Sequence, residues 1–92
     1  MKLNKGDYIT LKSLKEVTQL YDDCELINNG YGKLLITDNT YFSPEMVDVL
    51  GTSEVYKIER VDGGDFIIII NGNGYWFDKK CIKDVYKLVK VS

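Results

Sequence analysis

Apolar and polar residues alternate near the start of the chain, in GDYITLK at positions 6–12. Ile9 and Leu11 fall on one face of an extended segment, and the residues between them fall on the other. A period of two is typical of a strand with one buried face. We therefore expect a first strand here.

The period changes in the next stretch, SLKEVTQLY at 13–21. Ser13 and Glu16 have the spacing of a capping box, and apolar residues follow at helical intervals. This pattern predicts one or two turns of amphipathic helix.

A second helix is predicted in SPEMVDVLG at 43–51. Ser43 suits the N-cap, Pro44 the first helical position and Gly51 the C-terminal stop. The apolar residues of this helix face one way, and they are Met46, Val47 and Leu50. We expect a short helix of about two turns that acts as a lid.

The segment between the two helices, residues 22–42, has a weaker pattern. Turn residues surround a short apolar run, Leu34–Ile36, which predicts one short strand. The rest of the segment is expected to form a long excursion on the surface.

The second half of the chain reads as strands separated by tight turns. Predicted strands cover 54–61, 65–71, 75–78 and 85–91, with turns at 62–64 and 72–74. With the first strand this makes five or six short strands in a single domain spanning 1–92. Their connections are too short for parallel crossovers, so we expect a mainly β fold, an antiparallel meander that closes into a small barrel.

The central hairpin, FIIIINGNGYWF at 66–77, is apolar on both faces. A two-residue loop at 72–73 or at 73–74 gives the same side-chain parity. One face then carries Ile68, Ile70, Tyr75 and Phe77, and the other carries Ile67, Ile69 and Trp76. We expect the first face to line the barrel and the second helix to cover the other, so that Trp76 packs beneath the lid.

Composition excludes several mechanisms. The chain has no histidine and only two cysteines, Cys24 and Cys81, so histidine-based catalysis is ruled out and no metal or other cofactor is expected. The Gly72-Asn73-Gly74 stretch lacks the remainder of a dinucleotide fingerprint. We expect a protein that is not an enzyme. With no leader or membrane segment recognised, we expect reduced thiols, a cytoplasmic location and no membrane partner.

Charge is unevenly distributed along a chain whose net charge is −2. Residues 16–25 are acidic, whereas the C-terminal region is rich in lysine. The lysines that could contact nucleic acid are Lys79, Lys80, Lys83 and Lys87. Lysines on a terminal strand also prevent edge-to-edge pairing, which is the interpretation we favour, and the net acidity opposes binding to a phosphate backbone.

Tyrosine is the residue type that most suggests recognition, because it combines a large contact area with a polar tip. Seven tyrosines occur, and we expect Tyr31 and Tyr41 to be exposed in the surface excursion. The residues predicted to bind a partner protein are Tyr21, Asp22, Asp23, Glu25, Tyr31 and Tyr41.

Three segments resemble small SH3-like barrel proteins of bacteriophages and mobile elements. They are KGDYITLKS, MVDVLGTSEVYKIERV and NGYWFDKKCIKDV. The resemblance rests on Gly6 and Asp7, Met46, Leu50 and Gly51, Ile58 and Val61, and Trp76. It implies an antiparallel SH3-like barrel of five to six strands with one or two short helices.

The same resemblance implies a function that consists of binding rather than catalysis. Phage proteins of this size commonly bind and block a host protein, such as a CRISPR effector or another antiphage defence protein, in the host cell cytoplasm. The acidic segment would suit a partner with a basic nucleic-acid groove. The alternative is a nucleic-acid-binding barrel that uses the lysine-rich C-terminal region.

Overall fold

The computed structural model describes residues 2–38 and 40–87, and these residues form a mainly β fold. The elements are β1 (Tyr8–Leu11), α1 (Leu14–Thr18), β2 (Glu25–Asn28), β3 (Lys33–Ile36), β4 (Tyr41–Phe42), α2 (Pro44–Val49), β5 (Tyr56–Lys57), β6 (Arg60–Asp62), β7 (Asp65–Ile70), β8 (Asn73–Asp78), a 3-10 helix (Lys79–Cys81) and β9 (Ile82–Tyr86). Positions 88–91 of the predicted last strand lie outside the described residues.

The strands form three antiparallel sheets of three strands each. The first sheet has the order β5-β1-β9, the second β2-β3-β4 and the third β6-β7-β8. The described strands therefore number nine rather than five or six, and their hydrogen-bonded ladders do not join into one closed barrel. The mainly β class is confirmed.

The N-terminal elements match their sequence patterns. Ile9 and Leu11 are buried in β1, as the alternation predicts. The capping box at α1 is complete, because the Glu16 amide donates to Ser13 Oγ and the Ser13 amide donates to Glu16 Oε1. The two bonds satisfy amides that the first turn leaves without helical partners.

Helix α2 begins and ends where the sequence predicts. Ser43 Oγ accepts from the Met46 amide, and Gly51 follows the helix with a φ of 72°. A Cβ atom at Gly51 would also lie 3.0 Å from Ser13 Cα. Glycine is needed there both for the left-handed backbone and for the close approach of the end of α2 to the start of α1.

The segment 22–42 holds more structure than predicted. A β2-β3 hairpin pairs Glu25 with Ile36 and Asn28 with Lys33, and β4 extends the ladder through Leu35 and Phe42. The single predicted strand is therefore one of three. The two added strands contain four and two residues, lengths at which periodicity carries little information and cross-strand pairing decides.

The predicted strand 54–61 is divided in two. Between β5 and β6, the buried Ile58 donates its amide to the Asp7 carbonyl, and the Glu59 amide donates to the Ile67 carbonyl. The chain thus leaves the first sheet at Ile58 and joins the third at Glu59. A change of partner sheet leaves no mark on residue alternation, so it is invisible in the sequence.

The central hairpin turns at Asn71-Gly72, one position before the loops considered from sequence. Ile70 pairs with Asn73, and the loop residues have φ values of 50° and 83°. Two positive φ values are characteristic of a type I′ turn, for which Asn-Gly is the preferred sequence. The register differs from the expected ones by an even number, so the predicted side-chain parity is confirmed.

One core joins the three sheets and both helices. Phe66, Ile68 and Phe77 of the hairpin pack there with Leu35 and Phe42 of the second sheet. The Phe66 and Phe77 rings stack with centroids 5.8 Å apart. Met46, Val47 and Leu50 also enter this core, as their shared face predicts.

Candidate protein-binding surface

The second sheet has an outer face that the core does not cover. Strand register places Glu25, Ile27, Leu34, Ile36 and Tyr41 on it, opposite the buried Leu35 and Phe42. Ile36 and Tyr41 are exposed, and Ile27 and Leu34 are half-buried. We call these five residues the outer face. It presents an apolar centre on a small three-stranded sheet.

An acidic depression adjoins the outer face. It has a volume of about 410 Å³ and is lined by Asp22, Asp23, Cys24, Glu25, Ile36, Thr37 and Asp38. Three of the predicted binding residues, Asp22, Asp23 and Glu25, therefore lie together here, and their role in binding stays a prediction. Asp38 was missed, because its position opposite this segment follows only from the pairing of β2 with β3.

The electrostatic field of these acids reaches the Cys24 thiol. Partial burial raises the pKa of Cys24, and the negative charges of Asp38, Asp23 and Asp22 raise it further. The Cys24 Sγ lies 3.4 Å from the Thr18 carbonyl, to which it donates. Both cysteines are free.

The tyrosines predicted to bind a partner occupy different environments. Tyr31 is 94% exposed between β2 and β3, and Tyr41 is 54% exposed, so the expected exposure of both is confirmed. Tyr21 instead packs edge-to-face against Phe42 with ring centroids 6.0 Å apart, and its hydroxyl lies 3.9 Å from Cys81 Sγ. Burial raises the pKa of Tyr21. Its contribution to binding stays a prediction.

The lysines of the nucleic-acid alternative do not form one uniform strip. Lys79 and Lys83 line a depression of about 170 Å³ together with Leu3, Ile82 and Val85. Lys87 is engaged elsewhere, because its Nζ lies 2.7 Å from Asp7 Oδ2 and also donates to the Lys2 carbonyl. Lys80 is exposed.

The third sheet also leaves one face open. We call it the hairpin face, and its members by register are Arg60, Asp62, Asp65, Ile67, Ile69, Gly74, Trp76 and Asp78. Trp76 is 43% exposed and Ile69 44% exposed. The expectation that the second helix covers this face is wrong, since α2 packs mainly against β3 and β4.

The physical reason for this correction lies in the second sheet. The predicted strand β3 and the unexpected strand β4 present Leu35 and Phe42 to the core, and α2 packs against these two strands. The helix therefore buries its apolar side chains there, and the hairpin needs only one covered face.

Neither helix of the described chain has the length or hydrophobicity needed to span a membrane. Within residues 2–38 and 40–87, no group of three or more Cys, Asp or Glu side chains is arranged to hold a metal ion. Comparison with protein-family models, curated protein sequences and solved structures gave no match. The fold and these two surfaces therefore carry the functional argument.

Proposed function

We propose that this protein binds another protein stoichiometrically through the outer face of its second sheet. The observation that carries the proposal is the exposed apolar centre at Ile36 and Tyr41 beside an acidic depression. Exposed apolar groups with a polar surround are typical of interaction sites.

The charges indicate the kind of partner. Asp22, Asp23 and Glu25 have no Lys or Arg partner among the described residues, so their field is available to a basic surface. Complementary charge raises the association rate and selects the partner, while the apolar centre provides most of the binding free energy. A protein with a basic nucleic-acid groove has this chemistry.

The SH3-like affiliation and the biological role belong to the same proposal. The pattern of Gly6-Asp7, the α2 segment and the Trp76 strand supports a relationship to SH3-like phage proteins. On that relationship we propose that the bound protein is a host factor, such as a CRISPR effector or another antiphage defence protein, and that binding inhibits it in the host cytoplasm.

Affinity capture from host lysate with mass spectrometry tests the proposal. We expect wild-type protein to retain one partner, and Ile36→Ser with Tyr41→Ser to lose it. Truncating central contact residues typically costs about 2 kcal/mol or more, which is roughly a thirtyfold loss of affinity. Purified partner and variant then give the dissociation constants.

The matched control is Val55→Ser with Tyr86→Ser, which removes another exposed apolar and tyrosine pair away from the outer face. Retention of the partner by this control and its loss in the outer-face variant supports the proposal. Equal retention by both variants contradicts it. Salt-sensitive binding to DNA or RNA that disappears in Lys79→Gln with Lys83→Gln would favour the nucleic-acid alternative.

A further inference from the structure

The hairpin face has an apolar centre that is partly exposed to solvent. Ile67, Ile69 and Trp76 occupy adjacent positions on β7 and β8. Gly74 lies opposite Ile69, and a Cβ there would approach Ile67 Cγ2 to 3.3 Å. The glycine thus leaves space in which the isoleucine side chains extend over β8.

The indole ring of Trp76 already has a guanidinium group, that of Arg60, lying over it. Arg60 places its Cζ 5.9 Å from the centroid of the Trp76 ring. This distance is within the range of cation–π attraction, which is strongest for tryptophan. The contact shows that the orientation of the ring on this face suits a basic side chain.

Carboxylates dominate the charge of the face. Asp62, Asp65 and Asp78 form one row across the three strands, and none has a Lys or Arg partner among the described residues. With Arg60 counted as +1 and the three aspartates as −3, the face carries −2. Like charges opposite one another on a sheet are unfavourable until a cation neutralises them.

We propose that the hairpin face is a second docking surface, which takes an extended protein segment bearing basic and apolar side chains. A net charge of −2 repels both a second copy of the same face and a nucleic-acid backbone, and it attracts a basic segment. Asp65, Asp78 and Trp76, with Tyr21, Thr40 and Phe77, line a depression of about 280 Å³ beside the face. A long basic side chain of the segment fits there between indole and carboxylates. This surface is separate from the outer face and does not rest on the function proposed for it.

Trp76 reports on the test directly, because it is the single tryptophan of the chain. A short blocked peptide of alternating arginine and valine is titrated into the full-length protein while tryptophan emission is followed. We expect a saturable change that weakens as salt is added. A peptide of alternating glutamate and valine should leave the emission unchanged.

Two double variants locate the binding. Asp65→Asn with Asp78→Asn removes the carboxylates of the hairpin face, and asparagine at 78 retains the ability to cap the 3-10 helix. Asp22→Asn with Asp23→Asn removes the same charge from the acidic depression. We expect about a threefold to tenfold loss of affinity in the first variant alone, since each exposed ion pair contributes only modestly to binding.

Several outcomes would overturn this proposal. They are an absent or non-saturable response, an equal response to the glutamate peptide, and equal loss in both double variants. Quenching by single-stranded DNA with higher affinity than the arginine peptide would assign the face to nucleic acid. A concentration-dependent emission change without peptide would assign it to self-association. None of these results depends on whether Ile36 and Tyr41 bind a partner.

Discussion

Asp7 lies immediately before β1 with its carboxylate almost fully buried. Its Oδ2 accepts from Lys87 Nζ at 2.7 Å and from the Asn4 amide at 2.9 Å. These hydrogen bonds favour the charged form and lower the pKa of Asp7, Lys87 having the largest effect. The pair connects the two ends of the described chain.

The Asp7 carboxylate makes stability depend on pH in the acid range. Because its folded pKa is lower than its unfolded pKa, the unfolded state binds the proton first as the pH falls. Its contribution is fully present above the unfolded pKa of about 3.9 and is lost as the pH falls through the lower folded value. We expect Asp7→Asn to flatten the dependence of urea-unfolding free energy on pH below about pH 4.

Lys87→Gln serves as the partner variant for this measurement. Removing the ammonium takes away the largest cause of the lowered pKa of Asp7. The unfolding free energy of Lys87→Gln should therefore also change less with pH below about pH 4 than that of the wild type. If the unfolding free energy of Asp7→Asn falls with acid as steeply as that of the wild type, the Asp7–Lys87 pair does not control the pH dependence.

The two thiols differ in environment and should differ in reactivity. Burial raises the pKa of Cys81 to about 11, and its side chain is fully inaccessible. Cys24 is half-buried at the acidic depression. Alkylation requires an accessible thiolate.

We expect iodoacetamide to modify Cys24 slowly in the native protein and Cys81 only after unfolding. Mass spectrometry of proteolytic peptides sampled with time, with and without denaturant, gives the rate at each cysteine. Native modification of Cys81 before Cys24 would contradict the burial of the Cys81 thiol. An intact mass that is lower by a pair of hydrogens would reveal a disulfide instead of free thiols.

At the scale of elements, the two turns of the third sheet contain glycines whose replacement should change stability by different amounts. Gly72 lies in the Asn71-Gly72 turn with a φ of 83°. In the turn between β6 and β7, Gly63 has a φ of 58°, whereas Gly64 lies outside the left-handed region. A built Cβ has open space at all three glycines, so backbone conformation alone distinguishes them.

Gly72→Ala and Gly64→Ala form a matched pair. We expect Gly72→Ala to lower the free energy of unfolding by about 1 kcal/mol, because alanine is strained at positive φ. Gly64→Ala should be neutral or slightly stabilising, since it restricts the unfolded chain without native strain. Urea denaturation of both proteins measures the difference, and equal values would contradict the assigned turn conformations.

The described molecule is elongated, with extents of 50 × 26 × 21 Å. Three small sheets share one core, and the second and third sheets each keep one face that the core does not cover. The consequence is clearest in β7, where Ile68 is fully buried and its neighbour Ile69 is 44% exposed. Chemically identical residues thus have different structural roles.

Ile68→Ala and Ile69→Ala test this division. We expect Ile68→Ala to cost about 2–5 kcal/mol, as in other buried sites. That is a large part of the total stability, on the order of 5–14 kcal/mol for a chain of this length. Ile69→Ala should cost under about 1 kcal/mol.

Denaturant unfolding compares these two variants, and Ile68→Val replaces Ile68→Ala if the alanine variant does not fold. A buried Ile-to-Val change should still cost about 0.5–1.5 kcal/mol. A larger cost at Ile69 than at Ile68 would mean that the faces are reversed, or that the hairpin face is covered in solution.

The sequence predicted part of the candidate protein-binding surface. The acidic run at 16–25 and the turn residues of 22–42 marked this part of the chain as a surface segment, and Tyr31 and Tyr41 are indeed exposed. Asp38 and Ile36 could not be assigned to the same surface, because only the β2-β3 register brings them beside Asp22 and Asp23. Exposure of Trp76 was also unpredictable, since it depends on where α2 packs.

The sequence by itself determined features that depend on neighbouring residues. These include the helix caps at Ser13 and Ser43, the stop at Gly51 and the two-sided parity of the hairpin. Such features arise from local hydrogen bonds, backbone sterics and alternation, all of which act over a few positions.

Only the tertiary structure decided which apolar faces are covered. The strands β2 and β4 form because they pair with β3, the chain changes sheets at Ile58 because two sheets meet there, and α2 packs on the second sheet rather than over Trp76. Burial is roughly proportional to apolar area and has no directional preference. The choice between two equally apolar faces of one hairpin therefore belongs to the whole molecule.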